Sequence, residues 1–188
     1  ITMMGYLKQP EETLRTLDVE GWLHTGDQGK KDADGFLKVT GRIKELIVTA
    51  GGENISPVLI ENTVMEQTPI LSCCMAIGDK RKFVSMLFCI RCKLNEEGES
   101  THVLASDVQA FLRTLGSQST TIEEAMRDPI VKAHLDDVVA KYNEVAVSRA
   151  QEIRKWIILP EEFTVGKGEL TATMKLRRAV VQEHYAKE

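Results

Sequence analysis

Gly41-Arg42-Ile43-Lys44-Glu45-Leu46-Ile47-Val48-Thr49-Ala50-Gly51-Gly52-Glu53-Asn54-Ile55-Ser56-Pro57 joins two different kinds of chain. Upstream of it, residues 1–43 are rich in turn formers and short strand-like runs, with no predicted helix to cover them. Asp32-Ala33-Asp34-Gly35 is a strong turn signal, and Phe36-Leu37-Lys38-Val39-Thr40 behind it reads as a strand that Gly41 breaks. Downstream there is enough sequence to build a self-contained core, so the boundary falls near Lys44. Within the stretch, residues 46–49 and 53–55 flank Ala50-Gly51-Gly52, which predicts a hairpin with a glycine tip. Ser56-Pro57 then supplies an N-cap and a first-turn proline for a helix running to about residue 67.

The pattern continues outward to the C-terminus. Residues 73–77 and 84–90 read as buried strands, followed by a polar loop over 95–100 and a helix over 106–115. Thr120-Thr121-Ile122-Glu123 matches a capping box for a short helix. Asp128-Pro129 caps a longer one, in which Val131, Leu135, Val138, Tyr142 and Val145 recur at helical spacing and predict a single apolar face. Residues 156–159 form a final strand ended by Pro160, and 174–186 read as helix. Strands alternating with helices predict a mixed α/β domain.

Composition narrows the function classes. The chain has 188 residues, 43% hydrophobic and 28% charged, with a net charge of -4, which is ordinary for a globular domain and gives no electrostatic footprint for nucleic acid. No apolar run approaches the roughly 18 residues that span a bilayer. The start, Ile1-Thr2-Met3-Met4-Gly5-Tyr6, is not patterned as a signal peptide and lacks an initiating Met, so it reads as the edge of an internal fragment. Cys73, Cys74, Cys89 and Cys92 lie in strand-like stretches. Cys89 and Cys92 have CxxC spacing, but buried reduced thiols are the expectation and no metal site is assigned. The four histidines form no constellation, and neither a P-loop nor a serine-nucleophile motif is present.

Three places carry chemistry in their residue types. In Thr25-Gly26-Asp27, an ionised Asp on a tight turn can accept two charge-assisted hydrogen bonds from a ribose diol, and Gly26 lets backbone approach a ligand. Taken alone, it reads equally as a surface Asx-turn. Ala50-Gly51-Gly52 alone is a hairpin tip. Lys175, with Arg177 and Arg178, alone is the solvated first turn of a helix.

Their order changes the reading. Gly21-Trp22-Leu23-His24-Thr25-Gly26-Asp27, then Gly41 to Asn54, then Gly168-Glu169-Leu170-Thr171-Ala172-Thr173-Met174-Lys175-Leu176-Arg177-Arg178, resemble the closing third of an adenylate-forming enzyme. That superfamily includes acyl-CoA synthetases, luciferases and peptide-synthetase adenylation domains. Residues 43–57 look most like long-chain fatty acyl-CoA synthetases of the bubblegum type, because luciferases and peptide-synthetase domains usually lack a Gly-Gly-Glu-Asn run there. The resemblance implies an α/β (α+β) fold: a small C-terminal domain over 44–188, with a short mixed sheet flanked by helices. It is preceded, over 1–43, by the turn- and strand-rich end of a large N-terminal adenylation domain.

The resemblance also implies an activity and roles. The parent would be a long-chain fatty acid–CoA ligase that converts fatty acid, ATP (with Mg2+) and CoA into acyl-CoA, AMP and pyrophosphate through an acyl-adenylate. Asp27 and Arg42 would bind the nucleotide, Lys44 would be the hinge, Gly51 and Gly52 would form the CoA-side loop, and Lys175 would be the catalytic cation. Ala172 stands where long-chain members often have Pro, which softens the loop and leaves Lys175 in register. Arg177 and Arg178 are expected to meet CoA phosphates or anionic lipid. The phosphate loop and acyl pocket would lie upstream, so residues 1–188 alone are expected to be inactive. A cytoplasmic enzyme is implied, peripheral on the endoplasmic reticulum or other intracellular membranes. Two alternatives stay open: an adenylating enzyme with another thiol acceptor such as a carrier protein, and in isolation a non-catalytic binding module. The Gly-Gly-Glu-Asn hairpin and the helical insertion over about 104–149 favour CoA.

Overall fold

The computed structural model describes residues 3–95 and 100–186. The chain divides into two compact units, residues 1–46 and 47–188.

The first unit holds a short helix and a hairpin. Helix α1 (Pro10–Thr16) corrects the expectation that nothing helical precedes residue 44. Pro10 opens it, Glu11 and Glu12 occupy its first turn and Arg15 its last, an arrangement that satisfies the helix dipole at both ends. Strands β1 (Asp27–Lys31) and β2 (Leu37–Arg42) pair antiparallel. Asp32 Oδ1 closes the turn by accepting the amides of Asp34 (3.1 Å) and Phe36 (2.8 Å). Gly41 does not end β2: it pairs with Gln28 and carries the ladder on to Arg42. A 3-10 turn, Ile43–Glu45, follows.

The second unit is layered around a small sheet. Strands β3 (Ile47–Val48) and β4 (Asn54–Ile55) form the expected glycine-tipped hairpin. Helix α2 (Pro57–Glu66) follows, with Ser56 at its N-cap and Pro57 in its first turn. Next come β5 (Leu71–Ile77), β6 (Val84–Ile90), β7 (Cys92–Leu94) and β8 (Ser100–Leu104). Then come α3 (Ser106–Thr114), α4 (Ile122–Arg127), α5 (Pro129–Val145), β9 (Ile153–Ile158) and α6 (Arg178–His184). The central sheet has the order β5-β6-β9, with β5 and β6 antiparallel and β6 and β9 parallel.

Strand β6 is apolar on both faces because both are covered. Met86, Phe88 and Ile90 pack in one core with Ile60 and Val64 of α2, Leu112 of α3, Ile122 of α4 and Val131, Leu135 and Val138 of α5. Leu87 and Cys89 point the other way, into a smaller core with Met75, Leu159, Phe163 and Val181. The period-2 geometry of a strand also separates Cys74, in the first core, from Cys73, against the second. Burial pushes the Cys73 and Cys92 thiols up to about 11, so they stay protonated at neutral pH and serve as small apolar groups. Among the described residues no group of three His, Cys, Asp or Glu is placed to hold a metal ion.

Several boundaries differ from expectation for identifiable reasons. The capping box sits one residue later: Thr121 Oγ1 accepts the amide of Glu124 (3.3 Å) and Glu124 Oε2 accepts that of Thr121 (3.3 Å). Val145 is exposed, because α5 ends there and Ala146 turns inward instead. Strands β7 and β8, which the sequence did not announce, flank the expected polar loop and overlap it only at Ser100; residues 96–99 of that loop lie outside the described residues. Helix α6 starts at Arg178 rather than Met174, because Met174 has φ 60, which is left-handed and ends any helix.

Asp128 ties two elements together. Its Oδ2 accepts the hydroxyls of Ser117 (2.5 Å) and Ser119 (2.8 Å), and its Oδ1 caps α5 at the amide of Ile130 (2.8 Å). The Ser117 bond and its companions hold the carboxyl below its ordinary value of 3.8. A depressed carboxylate stabilises the fold above its unfolded pKa, and that contribution is lost as pH falls through the lowered folded value. Asp128→Ala is therefore expected to lose about 1–2 kcal/mol at neutral pH. In urea melts, the gap between variant and wild type should close as the solution is acidified through that value.

Candidate nucleotide and thioester site

In the first unit the segment before Thr25-Gly26-Asp27 is fixed by Asp18. Its Oδ1 accepts the amides of Glu20 (3.0 Å) and Trp22 (2.9 Å), and its Oδ2 lies 2.9 Å from His24 Nε2. The Trp22 amide is the first cause of a carboxyl held below its usual range. Gly26 takes φ 76, where a Cβ would be strained, and its carbonyl accepts the amide of Ile43 (2.9 Å). This geometry starts β1 at Asp27, directly opposite Arg42 in the ladder. Arg42 Nε lies 3.2 Å from Asp27 Oδ1, with both side chains partly exposed. Two residues predicted to act on one nucleotide therefore form a cross-strand ion pair. They line a cleft of about 850 Å³ with Arg15, His24, Thr25 and Lys44. Lys44 itself is exposed in the 3-10 turn.

Gly51, Gly52 and Lys175 are carried by separate loops of the second unit. The glycine hairpin is closed by Thr49, whose carbonyl accepts the amide of Gly52 (2.9 Å) and whose Oγ1 accepts that of Glu53 (3.2 Å). Gly52 has φ 81, and a Cβ there would meet nothing within 4 Å, so conformation rather than crowding calls for glycine. The hairpin is stitched to the turn between β5 and β6. The Ala50 amide donates to the Arg81 carbonyl (2.9 Å), Lys80 N to Val48 O (2.7 Å) and Val48 N to Asp79 Oδ1 (3.2 Å).

Arg81 leads to a feature that the sequence motifs did not announce. A cleft of about 430 Å³ is lined by the cations Arg81, Arg154 and Lys155 together with Phe83, Trp156 and Tyr185. Lys155 Nζ sits 5.8 Å from the Phe83 ring centre. The residues come from the β5–β6 turn, β9 and the end of α6, which is why no local spacing reveals them.

Lys175 is exposed and lies at the base of a tight loop, not on a helix. The Thr171 amide donates to the Lys175 carbonyl (2.8 Å) and the Lys175 amide to Thr171 Oγ1 (3.0 Å). Leu170 and Leu176 bridge below and pack into the smaller core. The Arg177 amide donates to the carbonyl of Glu169 (2.7 Å), a residue that is fully buried. Arg178 is not presented to a phosphate or lipid, contrary to expectation. Its guanidinium makes a two-pronged bond to Glu61 of α2, at 2.6 and 2.7 Å.

A cross-strand Asp–Arg pair, a glycine hairpin beside a cationic cleft and a lysine on an anchored loop thus follow one another along the chain. The chain belongs to the AMP-binding enzyme C-terminal domain family, whose model matches residues 44–188. It is 48% identical over 185 residues to the long-chain-fatty-acid–CoA ligase ACSBG2 of Gallus gallus, across 97% of this chain and 24% of that protein. It is 45% identical over 185 residues to ACSBG1 of Homo sapiens, across 97% of this chain and 26% of that one. The chain thus spans about a quarter of the relatives' length, and the likeness to bubblegum-type ligases read from residues 43–57 is borne out.

Solved structures share the fold. The A domain of carboxylic acid reductase from Segniliparus rugosus, in complex with AMP and a co-purified carboxylic acid, aligns with a TM-score of 0.68 at 20% identity. That match covers 98% of this chain and 25% of the other. The O-succinylbenzoate coenzyme A synthetase of Bacillus subtilis, in complex with AMP, aligns with a TM-score of 0.56 at 20% identity over 95% of this chain and 27% of that one. The mixed helix-and-sheet class expected for the chain holds.

Proposed function

We propose that the chain works as the C-terminal part of an ATP-dependent long-chain fatty acid–CoA ligase. The observation that carries the reading is near-half identity to such ligases along 97% of the chain. In the first step a carboxylate oxygen of the fatty acid attacks the α-phosphorus of ATP, forming acyl-AMP and releasing pyrophosphate. In the second, the CoA thiol attacks the acyl carbon, forming the thioester and releasing AMP.

Each proposed role has a physical reason. Asp27 accepts the ribose hydroxyls, and Arg42 supports the same ribose or its phosphate. Lys175 places a cation between two anions that must approach each other, which favours the transition state of the first step. Lys44 is the hinge between the two half-reactions, in a short turn able to absorb backbone rotation. Gly51 and Gly52 let backbone approach the pantetheine arm. Mg2+ enters with ATP. Action in the cytoplasm, peripheral on intracellular membranes, belongs to the same proposal.

The cleft beside Arg81 favours CoA over a carrier-protein thiol. Both acceptors present pantetheine, but only CoA adds a 3′-phosphorylated adenosine diphosphate. Arg81 and Lys155 beside the Phe83 ring suit phosphates and an adenine. The test uses the full-length enzyme with Arg81→Ala. Loss of one charge-assisted contact should raise KM for CoA by about 10-fold or more, with KM for pantetheine and the rate of pyrophosphate release unchanged. An equal effect on CoA and pantetheine would overturn the assignment of the cleft. A wild-type enzyme that releases no pyrophosphate with a long-chain fatty acid and ATP would overturn the ligase reading itself.

A further inference from the structure

The ion pair between Glu61 and Arg178 joins residues 117 positions apart. Its side chains are 11% and 17% exposed, in the order named. Glu61 stands on α2, on one face of the central sheet. Arg178 is the first residue of α6, whose Val181 packs into the core on the other face. Glu61 Oε1 also accepts the amide of Ala76 (2.8 Å) from edge strand β5. One carboxylate therefore straps both layers to the sheet around its edge. A guanidinium held by two prongs is fixed in orientation as well as position.

Arg178 lies three residues beyond Lys175, and the chain between them is short and registered. The Leu170–Leu176 bridge and the Arg177-to-Glu169 bond transmit the position of Arg178 into the loop that carries Lys175. Resting on the ligase reading above, we propose that Glu61, through Arg178, is a positioning residue for the Lys175 ammonium in adenylate formation. It touches no substrate; it fixes where the cation stands. Misplacing a catalytic group by about 1 Å can cost on the order of 100-fold in rate, and a loop released at one end can drift that far.

The experiment uses the full-length ligase with Glu61→Gln, Arg178→Lys and Lys175→Ala. Pyrophosphate release and thioester formation from supplied acyl-AMP are assayed separately, at a temperature where circular dichroism shows each variant folded. Glu61→Gln keeps shape and loses charge. It should lower kcat for pyrophosphate release by about 10–100-fold, with KM for ATP little changed and thioester formation retained. Arg178→Lys keeps charge without the two-pronged grip and should fall between wild type and Glu61→Gln. Equal loss in both half-reactions would mean a purely structural strap and would overturn the proposal, as would no loss in either. If Lys175→Ala selectively abolishes the first step while Glu61→Gln does not, the positioning role fails and the ligase reading stands. If Lys175→Ala has no effect, the role of Lys175 fails and takes the positioning role with it.

Discussion

Lys175→Ala in the full-length enzyme is expected to lower pyrophosphate release by about 100- to 1,000-fold, the usual loss when one electrostatic stabiliser of a transition state is removed. Thioester formation from supplied acyl-AMP should persist. The reason lies in when the charge is needed. Negative charge crowds the reacting atoms while carboxylate oxygen and α-phosphate come together, and no comparable approach of two anions occurs when a thiol attacks an acyl carbon. Lys175 is exposed, and its backbone is gripped on both sides by Thr171 while its neighbours Leu170 and Leu176 are anchored in the core. Retention of pyrophosphate release in the variant would reduce Lys175 to a surface residue.

Phe88→Ala is expected to destabilise residues 47–188 by about 3–5 kcal/mol. Phe88 is fully buried on the central strand β6, and its ring centre lies 5.6 Å from that of Trp156 on β9. The substitution empties the middle of the larger core, where α2 and α5 meet the sheet. Domains of this size hold only about 5–15 kcal/mol in total, so the variant should sit near the edge of stability. Guanidinium melts should show a lower midpoint at an unchanged slope. A loss below about 1 kcal/mol would mean that the core collapses around the vacancy.

What could be read from sequence was what repeats locally. The run Val84-Ser85-Met86-Leu87-Phe88-Cys89-Ile90 announced a buried strand, α2 announced itself by Ser56-Pro57, and α5 by its Asp128 cap and its apolar spacing. Helix α1 escaped because none of its residues is buried, so it carries no apolar stripe. The start of α6 was misplaced because backbone sign at a single Met decides it, and spacing is blind to that. For the site, only the family resemblance joined Asp27 and Arg42 in advance; the β1–β2 ladder that sets them opposite each other has no local signal before Asp32. The cationic cleft and the Glu61–Arg178 strap could not, since tertiary packing alone unites their members.

The parallel pairing of β6 with β9 has a consequence for how the chain reaches its native state. Between the two strands run β7, β8 and three helices, and Asn143 of α5 pins the return by bonding both the amide (2.8 Å) and the carbonyl (3.0 Å) of Ile153. Until that crossover folds, one side of β6 presents unsatisfied amides and carbonyls flanked by apolar side chains. Such non-local pairing forms slowly, and an open, apolar strand edge invites pairing with other chains. During synthesis, the interval between the emergence of Ile90 and of Ile158 is therefore one in which the open edge of β6 is available for self-association or for a chaperone to bind.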